Sequence, residues 1–219
     1  MRSFEEIFDI SAARHGGAAA VEALLVHPDP AASTLAEDRW LSLMTKSIFQ
    51  AGFSWKVIEG KWPGFEAAFD QFDVGRNAFM DEEKLDALLK DTNIVRNGAK
   101  IQTVRDNAVF LIELRQEGGA AKVFTDWPST DFIGLLDMLK KRGSRLGGGT
   151  GQMVMRFAGR DGFVLSKDVT GRLIAEGVID KPATSQKALR QVQAAFNHWQ
   201  AQSGRSLMEI SRVLALSCG

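Results

Sequence analysis

Apolar residues recur along this chain at intervals of three and four, the period of a helix with one buried face. Residues 1–27 place Phe4, Ile7 and Phe8 at that spacing and break at Gly16-Gly17, which predicts one or two helices. Thr34 and Glu37 fit a capping box, and behind them Trp40, Leu43, Met44, Ser47, Ile48 and Ala51 share one helix face. Gly52 predicts the stop of that helix. Ser54 predicts a cap for the next, which carries Trp55, Val57 and Ile58. Trp62-Pro63 predicts a restart, after which Phe65, Phe69 and Phe72 form an aromatic stripe for the core. Asp81 opens a helix with Leu85, Leu88 and Leu89, and a polar connection follows over 91–99. From Lys100, Ile101, Val104, Ala108, Leu111 and Ile112 line a long helix that ends at Gly118-Gly119. Pro128 precedes a start at Ser129 or Thr130, and Phe132, Leu135, Leu136 and Leu139 carry that helix to Gly143.

A glycine turn and a short apolar helix come next. Phe163 to Leu165 is the one extended stretch, too short for a sheet. Thr170 to Ile179 reads as helix and breaks at Lys181-Pro182. Leu189, Val192, Phe196 and Trp199 mark a further face, with His198 on the solvent side. Ser206 and Glu209 form a second capping box before Leu207, Ile210, Val213 and Leu214. The pattern predicts an all-α bundle of roughly nine to eleven helices, without repeats of fixed period.

Composition narrows the classes. A chain of 219 residues, 45% of them hydrophobic, supports one large domain or two packed lobes. The formal net charge is zero, so a nucleic-acid contact must come from a local basic patch or from backbone donors. Cys218 is the single cysteine, which excludes an internal disulfide framework and a cysteine-based zinc site. His15 and His27 have no neighbouring ligands in sequence and read as surface residues. No apolar run reaches the length of a membrane span, and the N-terminus has no apolar signal core. A soluble cytoplasmic protein, with no membrane partner, is the expectation.

The chemistry concentrates between Arg142 and Asp168. Lys140, Lys141, Arg142 and Arg145 bring positive charge to Gly147-Gly148-Gly149-Thr150-Gly151. Glycines permit positive φ and let another backbone approach closely. A helix starting near Thr150 offers unpaired amides at the positive end of its dipole, an anion site suited to a phosphodiester. A flexible turn beside a solvated basic helix end is the plain alternative. A nucleotide P-loop is excluded, because Gln152 stands where its lysine belongs. Asp168 reads either as a helix N-cap or as an acid that stabilises a cationic sugar and orients water. Ser47 reads either as a hydroxyl bonded back to its own helix or as part of a pocket wall. Phe53 and Trp55 at their tight corner read as core, or, if exposed, as a stacking or wedging device.

The segment Gln50-Ala51-Gly52-Phe53-Ser54-Trp55 resembles the Q-A-G-[LF]-S-W signature of bacterial 3-methyladenine DNA glycosylase I. Phe65-x-x-Ala68-Phe69-x-x-Phe72-Asp73, the run from Asn93 to Gln102, Asn107-Ala108 and Lys140-Lys141-Arg142-Gly143 follow in the family's order. The similarity extends over about residues 38 to 160. It implies a two-lobed all-α fold of the helix-hairpin-helix DNA glycosylases as a single unit over 1–219, with the hairpin at about 135–158 and the lesion pocket between the lobes. By that resemblance the hairpin binds a DNA phosphate through Gly147, Gly148, Gly149, Thr150 and Gly151, with Arg145 beside them, often together with a monovalent cation. Gln50, Gly52 and Phe53 would form the wedge pushed into the duplex. Trp55, Ser47, Trp40 and Phe49 would line the base pocket, with Trp55 stacking on the base.

The implied activity is monofunctional hydrolysis of the N-glycosidic bond of alkylated purines, 3-methyladenine above all. The partner is double-stranded DNA with a damaged base, extruded into the pocket by a monomeric enzyme. Three departures stand out. The family's pocket glutamate, three residues before Q-A-G, is Ser47 here; the chain has no tyrosine, although the family places one near its N-terminus; and the family's zinc ligands are missing, so no zinc is expected. Asp168, 17 residues past Gly151, stands where many helix-hairpin-helix glycosylases carry a catalytic acid. Gln152 and Met153 occupy the region of the lyase lysine, which favours a monofunctional enzyme. The rival reading is a non-catalytic DNA-binding protein on a glycosylase fold.

Overall fold

The computed structural model describes residues 1–218 and is all-α, with thirteen α-helices and no strand among the described residues. They are α1 (Phe4–His15), α2 (Ala18–Glu22), α3 (Glu37–Gln50), α4 (Trp55–Ala68), α5 (Val74–Ala78), α6 (Glu82–Lys90), α7 (Gly98–Leu114), α8 (Ala120–Asp126), α9 (Phe132–Arg142), α10 (Gly149–Phe157), α11 (Lys167–Ala175), α12 (Gln186–Ser203) and α13 (Leu207–Leu216). The short α2, α5 and α8 carry the number past the expected nine to eleven. The last two were not foreseen, because five to seven residues show too little periodicity to register. The chain divides into two compact units, one of residues 1–29, 127–135 and 159 onward, the other of 30–126 and 136–158; the division falls within α9.

In the first unit, α1, α11 and α12 pack on α13. Phe132, Phe163, Phe196 and Trp199 form its aromatic centre, with Phe163 stacked on Phe196 at 4.2 Å between ring centroids. The expected extended stretch is thus an irregular segment that delivers one core ring. The Ser206–Glu209 capping box forms as expected. The Asp161 carboxylate adds to it by accepting from the amides of Leu207 and Met208 at 3.3 and 2.9 Å. Buried Arg172 donates to Ser217 Oγ and O and pairs with Glu176 at 3.2 Å, and Arg2 pairs with the same carboxylate at 2.8 Å. Burial pushes the Glu176 pKa up, but the hydrogen bonds from Arg2 and Arg172 outweigh it and hold the group below the ordinary carboxylate range.

In the second unit α7 packs against α3 and α5, and α10 packs on α3. Trp62, Phe65, Phe69 and Phe72 stack in sequence, the three phenylalanines fully buried as expected. Two local expectations fail. Thr34 does not cap α3: it ends a 3-10 turn, its hydroxyl donates to Ala31 O, and Glu37 pairs with Arg115 at 2.7 Å. Nor does Trp62-Pro63 restart the chain, since Pro63 lies inside α4. A proline there removes one backbone donor, and the aromatic stripe continues at helical spacing across it.

Candidate functional site

The glycine turn joins α9 to α10, and its glycines have separate duties. A Cβ on Gly143 would meet Leu146 Cδ1 at 2.5 Å and Leu139 O at 2.9 Å, and one on Gly151 would meet Leu146 O at 2.5 Å; these two let the turn close on itself. Gly148 adopts φ +59°, a left-handed conformation that suits glycine. A Cβ at Gly148 or Gly149 would meet nothing within 4 Å, and both residues are exposed. Gly148 supplies no side-chain cap to α10, whose first turn holds no acid. The N-terminus of α10 is thus exposed at Gly148 and Gly149, with the helix dipole behind it. Serine, asparagine or aspartate side chains cap α1, α5, α6, α7, α11, α12 and α13, whereas α2, α3 and α4 share with α10 the lack of a side-chain cap bond among the described residues.

The basic residues around the turn are unequal. Arg142 pairs with Glu117 at 2.7 Å and lies over the Phe110 ring, and Lys141 pairs with Asp137 at 2.5 Å. Arg145 is exposed at the tip with φ +57°, a strained state for a residue with a side chain. Arg145 and Lys140 have no ion pair among the described residues. Ser144 N–H donates to Asn107 Oδ1 at 2.8 Å, and Asn107 Nδ2 donates to Ser144 O at 3.1 Å. The buried Asn107 amide on α7 thus clamps the turn as a neighbouring strand would, and Ser144 Oγ adds a bond to Asp106 at 3.0 Å.

The aromatic corner hangs from the same helix. Lys100 Nζ, on a buried side chain of α7, donates to Ile48 O at 2.7 Å and Ala51 O at 2.5 Å, capping α3, and lies 4.8 Å from the Phe53 ring centroid. Burial, then the charge of Arg145, push its pKa down. Lys100 and Asn107 are seven residues apart, hence on one face of α7 and about 10.5 Å apart along its axis. Buried Thr103 lies between them. This polar stripe at i, i+3 and i+7 was the signal available in the sequence, hidden beside the apolar face of the same helix.

Of the corner residues, Gly52 is exposed with φ +95°, as a helix stop requires, and Phe53 is half-buried. Trp55 is 49% exposed, so its reading as core is overturned. Its ring meets exposed Phe157, at the end of α10, edge to face at 5.9 Å. Ser54 precedes α4 without a side-chain cap bond. Trp40, Ser47, Phe49 and Gln50 are all buried on α3. Among the described residues Ser47 Oγ has no hydrogen-bond partner, so it does not bond back to its own helix, and Trp40 Nε1 and Gln50 Oε1 are likewise unpartnered.

Asp168 stands in the first unit, exposed in the first turn of α11, with no hydrogen bond among the described residues. It is not the N-cap; Ser166 is, accepting from Val169 N at 3.1 Å. His15 is exposed and its ring contacts Leu216 O, while exposed His27 lies 3.5 Å from Glu209. No group of three His, Cys, Asp or Glu side chains is placed to hold a metal among the described residues. No helix of the described residues is long and apolar enough to cross a membrane.

The all-helical fold resembles that of solved DNA glycosylases. A crystal structure of 3-methyladenine DNA glycosylase I (TAG) superposes with a TM-score of 0.50 at 28% identity, over 63% of this chain and 84% of that one. The enzyme of the same name from Staphylococcus aureus, solved in a study of 3-methyladenine recognition, shares the fold with a TM-score of 0.52 at 21% identity, over 64% of this chain and 82% of that one. Residues 33–131 match the methyladenine glycosylase family, and through that segment the chain is related to it. DNA-3-methyladenine glycosylase 1 of Escherichia coli (strain K12) is 38% identical over 69 residues, 32% of this chain and 37% of that protein. The DNA-3-methyladenine glycosylase of Haemophilus influenzae is 30% identical over 69 residues, with the same shares. The chain therefore spans 37% of the length of the curated relatives it matches. The aromatic corner, Lys100 and Asn107 lie inside the matched segment; the glycine turn and Asp168 lie beyond it.

Proposed function

We propose that the protein is a monofunctional DNA glycosylase that hydrolyses the N-glycosidic bond of alkylated purines, 3-methyladenine above all, in double-stranded DNA. The observation that carries this reading is the pair of clamps on α7: Asn107 holds the glycine turn and Lys100 holds the aromatic corner, two turns apart on one helix face. The turn grips a phosphate through the free amides of α10, with Arg145 adding charge. The corner supplies Gly52 and Phe53 to occupy the space left by an extruded nucleotide, and Trp55 offers a face for an electron-poor base. Such a base is already a good leaving group, so binding it and admitting water to the sugar carbon accounts for most of the chemistry. Gln152, buried in α10, leaves no amine there for lyase chemistry. A monovalent cation at the turn, as the family resemblance implies, would add positive charge beside a phosphate. Action as a monomer in the cytoplasm is part of the same proposal.

The exposed, unpartnered Asp168 favours a second reading, a non-catalytic DNA-binding protein on this fold. Base release from methylated duplex DNA, with chromatographic identification of the product, separates the two. Release of 3-methyladenine is expected; DNA binding with no base released would leave the second reading standing. An Asp168→Asn variant with unchanged single-turnover excision would remove Asp168 from the chemistry.

A further inference from the structure

Acidic residues are unevenly spread along this chain of zero net charge. Three stretches of twenty residues or more hold no Asp or Glu: 39–58, 138–160 and 181–208. The first contains the aromatic corner and the second the glycine turn, the two parts that the proposed function sets against DNA. A carboxylate held beside a phosphodiester repels it, so a surface that meets a polyanion keeps acids away and cations near. The third stretch is the longest and carries Lys181, Lys187, Arg190 and Arg205. It has no part in the proposed function, and it lies outside the segment matched by the methyladenine glycosylase family.

The fold holds most of this stretch rigidly and leaves three of its cations uncommitted. The inner face of α12 is pinned by buried Val192, Phe196 and Trp199. Gln193 adds two bonds, accepting from Ile133 N at 3.0 Å and donating to Ser129 O at 3.1 Å. Arg205 is committed to Glu22 and Glu209. Lys181, Lys187 and Arg190 are exposed, with no ion pair among the described residues. Lys187 and Arg190 are three residues apart, hence neighbours on one helix face. Lys181 and Gln191 line one cleft of about 370 Å³ between the loop at 177–185 and the first turns of α12; Thr184 adds a hydroxyl to it, and Asp180 is its one acid.

We infer that this cleft and the outward face of α12 form a second surface for the DNA backbone, on which Lys181, Lys187 and Arg190 neutralise phosphates. The inference rests on the reading of the protein as one that acts on DNA, and adds a contact separate from the glycine turn. Such contacts hold the duplex without reading its sequence. The chemistry of the face favours a phosphodiester strand over other anionic partners. From Gln186 to Ser203 the exposed residues are Lys, Arg, Gln and His, with Ala194 and Ala201 as the only apolar ones. A helix that lies on a membrane presents bulky apolar side chains to it, and a protein partner wants an apolar centre in its interface. This face offers neither.

The test is fluorescence anisotropy on a duplex with an abasic-site analogue, at several salt concentrations, for the wild type and a triple variant, Lys181→Gln, Lys187→Gln, Arg190→Gln. Each neutralised phosphate contributes about 0.9 to the slope of log affinity against log salt, so the triple variant should lose roughly 2–3 of slope and bind at least about tenfold more weakly at low salt. The charge-preserving set Lys181→Arg, Lys187→Arg, Arg190→Lys should keep the wild-type slope. Should the triple variant fail to fold, the single variants decide, each with a loss of about 0.9. A wild-type slope in the glutamine variants overturns the inference and leaves the glycosylase reading intact. Loss of slope in a protein that releases no base supports the inference while the glycosylase reading fails. Wild-type binding to phosphatidylserine vesicles that the triple variant loses, with the DNA slope unchanged, gives the surface to a membrane and refutes the inference.

Discussion

Gly149→Ala and Gly151→Ala are expected to move stability and DNA binding in different ways. Gly149 begins α10 in open space, where an added Cβ meets nothing within 4 Å. Alanine there restricts the unfolded chain and stabilises the fold by about 0.4–1 kcal/mol, or about 1–4 °C in melting temperature for a chain of this size. The same methyl group occupies the space through which a phosphate would reach the leading amides of α10. DNA affinity should fall about tenfold, and the dependence of log affinity on log salt should lose about one phosphate's worth of slope. At Gly151 the Cβ lands 2.5 Å from Leu146 O and 3.4 Å from Leu136 Cδ2. Something must shift, and the overpacked turn loses about 1–3 kcal/mol. Thermal melting and fluorescence anisotropy on a duplex with an abasic-site analogue, at several salt concentrations, measure both effects. If Gly149→Ala melts higher but binds with wild-type affinity and salt slope, the free amides of α10 do not hold a phosphate.

Three further outcomes follow from the clamps and the buried ion pair. Asn107→Asp keeps the acceptor for Ser144 N–H but sets a carboxylate oxygen against Ser144 O, where Nδ2 now donates; a loss of about 1–3 kcal/mol is expected by denaturant titration, together with weaker DNA binding. Lys100→Met leaves the buried Ile48 carbonyl without its donor, a loss of about 1–3 kcal/mol. Because the folded pKa of Lys100 is lowered, wild-type stability from this group rises with pH from that depressed pKa up to the unfolded value, and the rise should be absent in the variant. Glu176→Ala strands buried Arg172 and should remove about 3–5 kcal/mol at neutral pH. The folded pKa of Glu176 is lowered, so its contribution is complete above the unfolded value and lost as pH falls through the folded one. The gap between wild type and variant should therefore close in acid, as followed by pH-dependent melting.

Periodicity revealed the helices with continuous apolar faces, because burial of one face dictates that spacing whatever the partner. The α7, α12 and α13 faces are where the pattern places them, with Ile101, Val104, Val192, Phe196, Ile210 and Val213 fully buried. It failed where two local options compete. The Thr34 hydroxyl had both a helix start and its own 3-10 turn within reach, and the turn won. Pro63 is a helix breaker by propensity, yet the stripe of Trp62, Phe65 and Phe69 around it holds α4 together through packing. Hydrophobicity alone favours a covered Trp55 over an exposed one, because it says that a ring should be covered, not which rings a fold leaves uncovered.

The site was harder to read than the fold for a related reason. Its motifs, Gln50 to Trp55 and the glycine turn, could be recognised as strings, but the residues that hold them belong to neither. Lys100 and Asn107 look, in sequence, like polar positions at the border of the apolar face of α7. Both are buried, and each satisfies backbone groups of a different loop, the end of α3 in one case and Ser144 in the other. A side chain that fills backbone hydrogen-bonding groups fixes a loop more tightly than apolar contact does, because its geometry is directional. With both loops bonded to one rigid helix, their spacing is about two helical turns and does not depend on the flexibility of either. Separating the two clamps along α7, by moving the asparagine one turn to position 111 in a Leu111→Asn, Asn107→Leu variant, should therefore uncouple DNA binding from base extrusion. Anisotropy would report residual affinity, while fluorescence of 2-aminopurine at the lesion would stay quenched. Wild-type extrusion in that variant would mean that the spacing along α7 is not what aligns the turn with the corner.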